Sequence, residues 1–203
     1  MILEMPKPLR RRIEIVVVIA AIVAVTVVIL RWQGRVWFCS CGEIKIWAGD
    51  IWSLHNSQHL FDPYSFTHIA HGLLFALLFI YVPPFRGWSR RTAFADWRLP
   101  AGVAIEALWE IVENSAWIIN RYREATLALG YNGDSITNSV ADIACFIFGF
   151  ILASRIKWYY SLAIFAVMEI VLALTIRDNL TLNVIMLIWP MQSIKAWQMA
   201  IAP

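Results

Sequence analysis

The chain is short of charge, short of cysteine, and has no histidine outside one narrow window. Only 15% of its 203 residues are Asp, Glu, Lys or Arg, whereas 60% are apolar. A soluble domain needs more polar residues than that, so the composition excludes an ordinary soluble fold and points to a polytopic membrane protein. Three cysteines do not make a disulfide framework. Cys39 and Cys41 stand one residue apart, a spacing that strains a disulfide. They read as paired thiols or as a bond to a partner. Cys145, in an apolar run, reads as a small packing residue. No clustered basic and aromatic face is present, which argues against nucleic acid as a partner. All four histidines (His55, His59, His68 and His71) fall between positions 55 and 71.

What the chain does have is apolar sequence, eleven Trp and a mean hydropathy of +0.64. The pattern predicts an all-α, polytopic transmembrane bundle of five to six spans, a single membrane domain over 1–203. The basic segment 1–12, with Lys7, Arg10, Arg11 and Arg12, precedes the apolar run Ile13 to Leu30, which is long enough to span. Arg31-Trp32-Gln33 follows instead of a small-residue cleavage site, so an uncleaved first helix with a cytoplasmic N-terminus is expected. Residues 31–66 make a long connection whose aromatic content predicts a Trp-rich periplasmic cap, with Trp32, Trp37, Trp47 and Trp52 at headgroup level. Further helices are expected from about Thr67 to Val82, Leu99 to Asn120, Asp134 or Ser135 to Ile156, and Trp158 to Ile176. After Arg177 the apolar stretch before Pro190 is short, which leaves a kinked sixth helix or a re-entrant segment. This topology puts 11 of the 17 Lys and Arg residues on the cytoplasmic side, as the positive-inside rule requires of a bacterial inner-membrane protein.

Against that background, one stretch stands out. In EALWEIVEN, Glu106, Glu110 and Glu113 share a helix face, and Asp134, Asn138 and Asp142 repeat the stripe on the next helix. Carboxylates at bilayer depth are expensive and normally face a bundle interior, a cavity or one another. His68 and His71 at the start of the second helix, Asn114 at the end of the third, and Arg177 and Asp178 at the end of the fifth fall at the same outer level. Histidines with carboxylates are the ligand set of Zn²⁺ or Mn²⁺. His68 and His71 at i, i+3 therefore read as ligands of one divalent metal ion, with Glu110, Glu113 or Asp134 supplying a third. A metal-free alternative pairs Glu113 with His71 for acid–base work and gives Arg177 a phosphate. The plainer readings are interfacial histidines, Glu106 and Asp142 as structural polar contacts, and Glu169 as a partner of a cation or a deep pocket residue. Gly72, Gly149 and Ser139 read as points of close helix approach.

The segments FCSCGEIKIW, NSQHLFDPYSFTHIAHG, WEIVEN, YNGDSITNSVAD and IRDNLTLNVIMLIWP resemble the motifs of a bacterial integral inner-membrane family of unknown function. The resemblance covers the chain beyond about position 31 and lends no activity. More distantly, a His opening one helix, a Glu on the next and Asp-x-x-x-Asn on the following one resemble the VanZ-like proteins. That outline touches His68 or His71, Glu110 or Glu113, Asp134 and Asn138. The acidic-basic pair that the resemblance leads one to expect just before the His is missing here.

The function expected from these residues is a hydrolase or transferase, with or without a metal, acting on a membrane lipid headgroup or lipid-linked phosphate at the outer leaflet. Glu110, Glu113, Asp134 and Asn138 are the candidate catalytic residues. Asn114, Arg177 and Asp178 are the candidate substrate contacts, and His68 and His71 the candidate metal ligands. The competing expectation is a non-catalytic ligand- or ion-binding protein, or an accessory subunit of a membrane complex.

Overall fold

The computed structural model describes residues 7–83, 97–126 and 130–200. Residues 1–6 and the basic loop 84–96 lie outside the described residues, and with that loop Arg86, Arg90 and Arg91 of the expected cytoplasmic charge. The described chain forms α1 (Lys7–Trp32), α2 (Ser65–Tyr81), α3 (Arg98–Glu113), α4 (Ala116–Ala125), α5 (Ile136–Arg155), α6 (Trp158–Thr175), α7 (Leu180–Ile188) and α8 (Gln192–Met199). The only β pairing among the described residues is an isolated bridge between Trp47 and Phe61.

Three helices, Leu9–Trp32, Ile136–Arg155 and Trp158–Thr175, are long and apolar enough to cross a membrane, fewer than the five to six expected. The shortfall has three physical sources. At 17 residues α2 rises about 25 Å, somewhat less than a hydrocarbon core. The 16-residue α3 carries three glutamates on its apolar background. The stretch after Arg177 breaks into α7 and α8, of nine and eight residues, neither long enough to span.

The third helix was expected to continue to Asn120, but it stops at Glu113. Asn114 leaves the helix to hold Asp134, and the Ser115 hydroxyl accepts from Ile118 N as the cap of a new helix, α4. Arg177 has a left-handed backbone (φ 52) where the chain reverses from α6 into α7. The α7 N-terminus is tied back onto α6, because the Glu169 carboxylate accepts from Leu180 N at 3.0 Å and Thr181 N at 2.9 Å. Glu169 is therefore neither a cation partner nor a pocket residue: it satisfies amides that a helix start leaves without partners.

The centre is the pair α2 and α5. A Cβ on Gly72 would stand 2.1 Å from Phe146 O, and one on Gly149 would stand 2.2 Å from Ile69 O, so the two backbones touch where they cross. Leu73, Ala76 and Phe79 of α2, Val103 and Ala107 of α3, and Ile143, Phe146 and Phe150 of α5 pack into one apolar core below this crossing. Helix α1 lies against α3. Helices α1 and α6 keep most of their apolar surface outside the bundle, with Val16, Val28 and Leu174 each more than 60% exposed, whereas α5 is the best covered of the long helices.

The connection from residue 33 to 64 folds back over the polar end of this bundle. It supplies the acceptors that α5 needs at its start: Ser135 N donates to Ser57 O at 2.9 Å, Ile136 N to Val36 O at 2.8 Å and Thr137 N to Trp37 O at 3.3 Å. Asn138 N donates to the Ser135 hydroxyl at 3.1 Å. The amides at the α5 start thus have partners, three of them from the cap. Trp32 is mostly exposed on the outside, and Trp37 and Trp47 are about half exposed.

Candidate functional site

Above the α2–α5 crossing, polar side chains from four elements converge. His68 sits one turn before Gly72 on α2, facing the carboxyl-terminal turns of α3. Its Nδ1 lies 2.6 Å from Glu106 Oε1 and 3.3 Å from Glu110 Oε1, and its Nε2 lies 3.9 Å from Asp142 Oδ2 on α5. His71, one turn on, places Nδ1 3.1 Å from Glu106 Oε2. Glu106 thus bridges both rings, and the Ser65 hydroxyl donates to Asp142 Oδ1 at 2.9 Å. Imidazoles oriented by carboxylates in this way have a fixed tautomer and direction.

A second layer joins α3 to the α5 start. Asn114 donates from Nδ2 to Asp134 Oδ2 at 2.9 Å and accepts from Asp134 N at 2.7 Å. The Tyr131 hydroxyl donates to Asp134 Oδ1 and the Tyr122 hydroxyl to Glu113 Oε1, both at 2.9 Å. Asp62, at the end of the cap, accepts from Ser57 N at 3.0 Å and Tyr64 N at 2.7 Å. Burial, with Asp134 nearby, pushes the Asp62 carboxyl up to about 6. Burial also raises Asp134, against the pull of its Asn114 and Tyr131 bonds.

These groups border a cavity of about 180 Å³ reached by Tyr64, His68, His71, Glu113, Asp134, Asp142 and Asp178, with Trp109, Val184 and Leu187 as an apolar wall. Asp178 is held at the far rim by the Tyr64 hydroxyl at 3.2 Å and Gln198 Nε2 at 3.1 Å. Its burial pushes it up to about 7. No Lys or Arg is among the described residues that line the cavity. Glu110 is fully buried, and among the described residues neither of its carboxyl oxygens makes a hydrogen bond, although His68 Nδ1 stands 3.3 Å from one of them; nor does Glu113 Oε2 make one. Such a set of acids cannot all be charged without a cation or shared protons to offset them.

Three overlapping groups offer ligand atoms within 4.8 Å of one another: His68, His71 and Glu106; His68, Glu110 and Asp142; and Glu110, Glu113 and Asp134. The donor set therefore fits a divalent cation. The carboxylate nearest both histidines is Glu106, not Glu110, Glu113 or Asp134 as expected. Glu106 and Asp142, which read equally well as structural contacts in the sequence, are central here.

Of the other expected residues, Asn114 is buried behind Asp134. Asn138 is buried away from the cavity lining, its side-chain amide nitrogen without a partner among the described residues. Arg177 does not reach the cavity; it donates to Trp197 O at 2.7 Å and stacks over that ring. Tyr64, Tyr122 and Tyr131 were missed, because a tyrosine among many aromatics carries no sequence signal of its own.

A family model described as "Protein of unknown function (DUF2585)" matches residues 30–200. The UPF0314 protein of Rhizobium meliloti is 44% identical over 177 residues, covering 87% of this chain and 86% of that protein. The UPF0314 protein of Sphingopyxis alaskensis is 45% identical over 183 residues, covering 89% and 93%. That of Rhizobium etli is 48% identical over 166 residues, covering 82% of each. No solved structure matches.

Proposed function

This chain belongs to the DUF2585 family of proteins of unknown function, and we propose that it is a multi-pass inner-membrane protein whose acidic cavity holds a divalent cation and acts on a lipid-linked phosphate. The observation that carries this reading is the pairing of an acidic lining with the absence of any lining Lys or Arg among the described residues. An anionic headgroup is repelled by such a lining unless a metal ion lies between them. His68, His71, Glu106, Glu110 and Asp142 are the residues that would hold the ion, and an oxygen-rich set of this kind favours Mn²⁺ over softer metals. The ion would polarise a phosphoryl oxygen and offset the charge that builds there during transfer.

The protein's own groups divide the remaining work. Glu113, held by Tyr122 through one oxygen with the other unpartnered, takes the proton of the attacking water or hydroxyl. Asp134, fixed by Asn114 and Tyr131, orients that nucleophile. Trp109, Val184 and Leu187 offer an apolar wall to the lipid tail, with the headgroup toward the histidines. The N-terminus is cytoplasmic in this proposal and the cavity opens at the outer leaflet. The VanZ-like outline supports it through His68, Glu110, Asp134 and Asn138, which occur in that motif's order.

The test uses the full chain in detergent. Mn²⁺ binding is measured first, and then phosphate or headgroup release from mixed micelles of anionic phospholipids and polyprenyl phosphates. His71→Ala and Glu113→Gln are expected to abolish release while leaving the helical content unchanged. Full activity in both variants overturns the scheme. Mn²⁺ binding with no turnover of any of these lipids leaves a non-catalytic cation-binding protein as the function.

A further inference from the structure

The cap carries a second cluster that the proposed reaction does not use. We infer that Cys39, Cys41, His55 and His59 form a separate, structural binding site for a borderline-soft divalent cation of the Zn²⁺ type, which fastens the cap over the cavity.

The four side chains offer ligand atoms within 4.8 Å of one another. Cys39 Sγ lies 3.7 Å from His55 Nδ1, and His55 Nδ1 lies 3.0 Å from His59 Nε2. Tetrahedral Zn²⁺ at ordinary bond lengths sets N and S ligands about 3.6 Å apart and two N ligands about 3.3 Å apart, so the observed edges are already near those of a filled site. Both thiols are free. The backbone amides of Cys41 and Glu43 point at Cys39 Sγ and Cys41 Sγ, each at 3.4 Å, an arrangement that stabilises thiolate charge. In sequence the four make C-x-C, thirteen residues, then H-x₃-H, which differs from the familiar two-Cys, two-His spacing only by one residue in the first pair.

One local adjustment is needed. As it stands, Lys45 N–H donates to His59 Nδ1 at 3.2 Å, and the two imidazoles share a proton across their 3.0 Å contact. The cation takes the place of that shared proton on His55 Nδ1 and His59 Nε2, and the Lys45 amide gives up Nδ1.

The need for such a fastening is visible in the packing. Among the apolar side chains of the cap only Cys39, Ala48 and Pro63 are buried, so the hydrophobic effect does little to hold it. Yet the cap supplies the acceptors for the start of α5 from two separate stretches, Val36–Trp37 and Ser57. Cys39 follows the first stretch by two residues, and His55 and His59 straddle the second. A metal bond across them locks both to the helix that carries Asp142. The donor set also separates the two sites chemically, with thiolate and imidazole here and carboxylate-rich ligation at the cavity.

Cobalt substitution of the full chain in detergent tests this without reference to any activity. Co²⁺ is expected to give thiolate-to-metal charge-transfer absorption and tetrahedral ligand-field bands. The charge transfer is lost in the Cys39→Ser/Cys41→Ser double variant, the ligand-field bands change in His55→Gln, and both signals are kept in Glu106→Gln, which alters only the cavity. Absence of charge transfer in the wild type, or its persistence in the Cys39→Ser/Cys41→Ser double variant, overturns the inference. A readout that needs no variant is alkylation of the wild-type thiols. Zn²⁺ is expected to protect Cys39 and Cys41 together and a chelator to expose both; equal labelling with and without Zn²⁺, or a disulfide between the two in the purified protein, refutes the site.

Discussion

Replacing Gly72 with alanine is the sharpest test of the helix crossing beneath the cavity. The added Cβ would stand 2.1 Å from Phe146 O and 2.7 Å from Phe150 N, both backbone atoms, so no side-chain rotation relieves the overlap. Ordinary contact at 3.4 Å requires α2 and α5 to part by about 1.3 Å. Overpacking of this kind costs about 1–3 kcal/mol. Parting the helices also loosens Leu73, Phe79, Ile143 and Phe150 beyond the crossing, where a gap of about 1 Å forfeits up to half of each dispersion contact. Alanine returns about 1 kcal/mol of helix propensity, which leaves a net loss of about 2–3 kcal/mol. The same displacement draws His68 away from Asp142, so cation affinity is expected to fall with stability. Gly102→Ala is the matched control. The three atoms nearest its Cβ belong to the Phe146 and Phe150 rings, at 3.0–3.3 Å, ring edges that can yield, and the propensity gain makes the change nearly neutral. Unfolding of both variants in detergent is the assay. If Gly72→Ala is as stable as the wild type, or less damaging than Gly102→Ala, the crossing is not the contact described.

Other outcomes follow from single groups. Glu106→Gln removes the charge that orients both His68 and His71 and should weaken Mn²⁺ binding by about 10- to 100-fold, measured calorimetrically; unchanged affinity excludes Glu106 from the centre. Burial raises the Asp178 carboxyl to about 7 from an unfolded value near 4, so the native state holds its proton more tightly. Its contribution is then intact below about pH 4 and lost as pH rises through about 7, amounting to roughly 4 kcal/mol over that window. Asp178→Asn should flatten the fall in melting temperature between those limits, and an unaltered slope contradicts the assignment. Ser135→Ala deletes the hydroxyl that caps α5 and should cost about 1 kcal/mol, read as a shift in denaturation midpoint relative to the exposed control Ser40→Ala.

Much of the site was legible because charge is scarce in this chain. Where apolar residues dominate, Glu106, Glu110 and Asp142 stand out against their surroundings, and the period of a helix says which of them share a face. The same logic pointed to His68 and His71, whose rings the structure places beside Glu106. It failed for Arg177, whose position at the end of a helix suggested a shared level with the acids but could not reveal the turn that sends its guanidinium to Trp197. It also named Glu110, Glu113 or Asp134 rather than Glu106 as the partner of the histidines, since Glu106 and Glu110 both lie on the inward stripe and only the rotation of α3 against α2 decides which meets two histidines. The Cys and His pairs of the cap were each visible, but thirteen residues separate them, and the fold of an irregular connection is not periodic. The expected number of spans was too high because hydropathy counts apolar residues without seeing that α2 is short and that Asn114–Ser115 ends α3, whereas the break at Pro190 was visible in the sequence.

By itself, the sequence determined that this chain is helical, rich in membrane-compatible surface, and polar at one end, since those follow from composition and from the 3.6-residue period alone. Only the tertiary structure decided which acids meet which imidazoles. That pairing depends on two glycines allowing backbones to touch, and on the cap supplying hydrogen-bond acceptors to a helix start about eighty to one hundred residues away. Interatomic distances set by packing between remote segments leave no local trace in the order of residues, and the chemistry of the cavity rests on those distances.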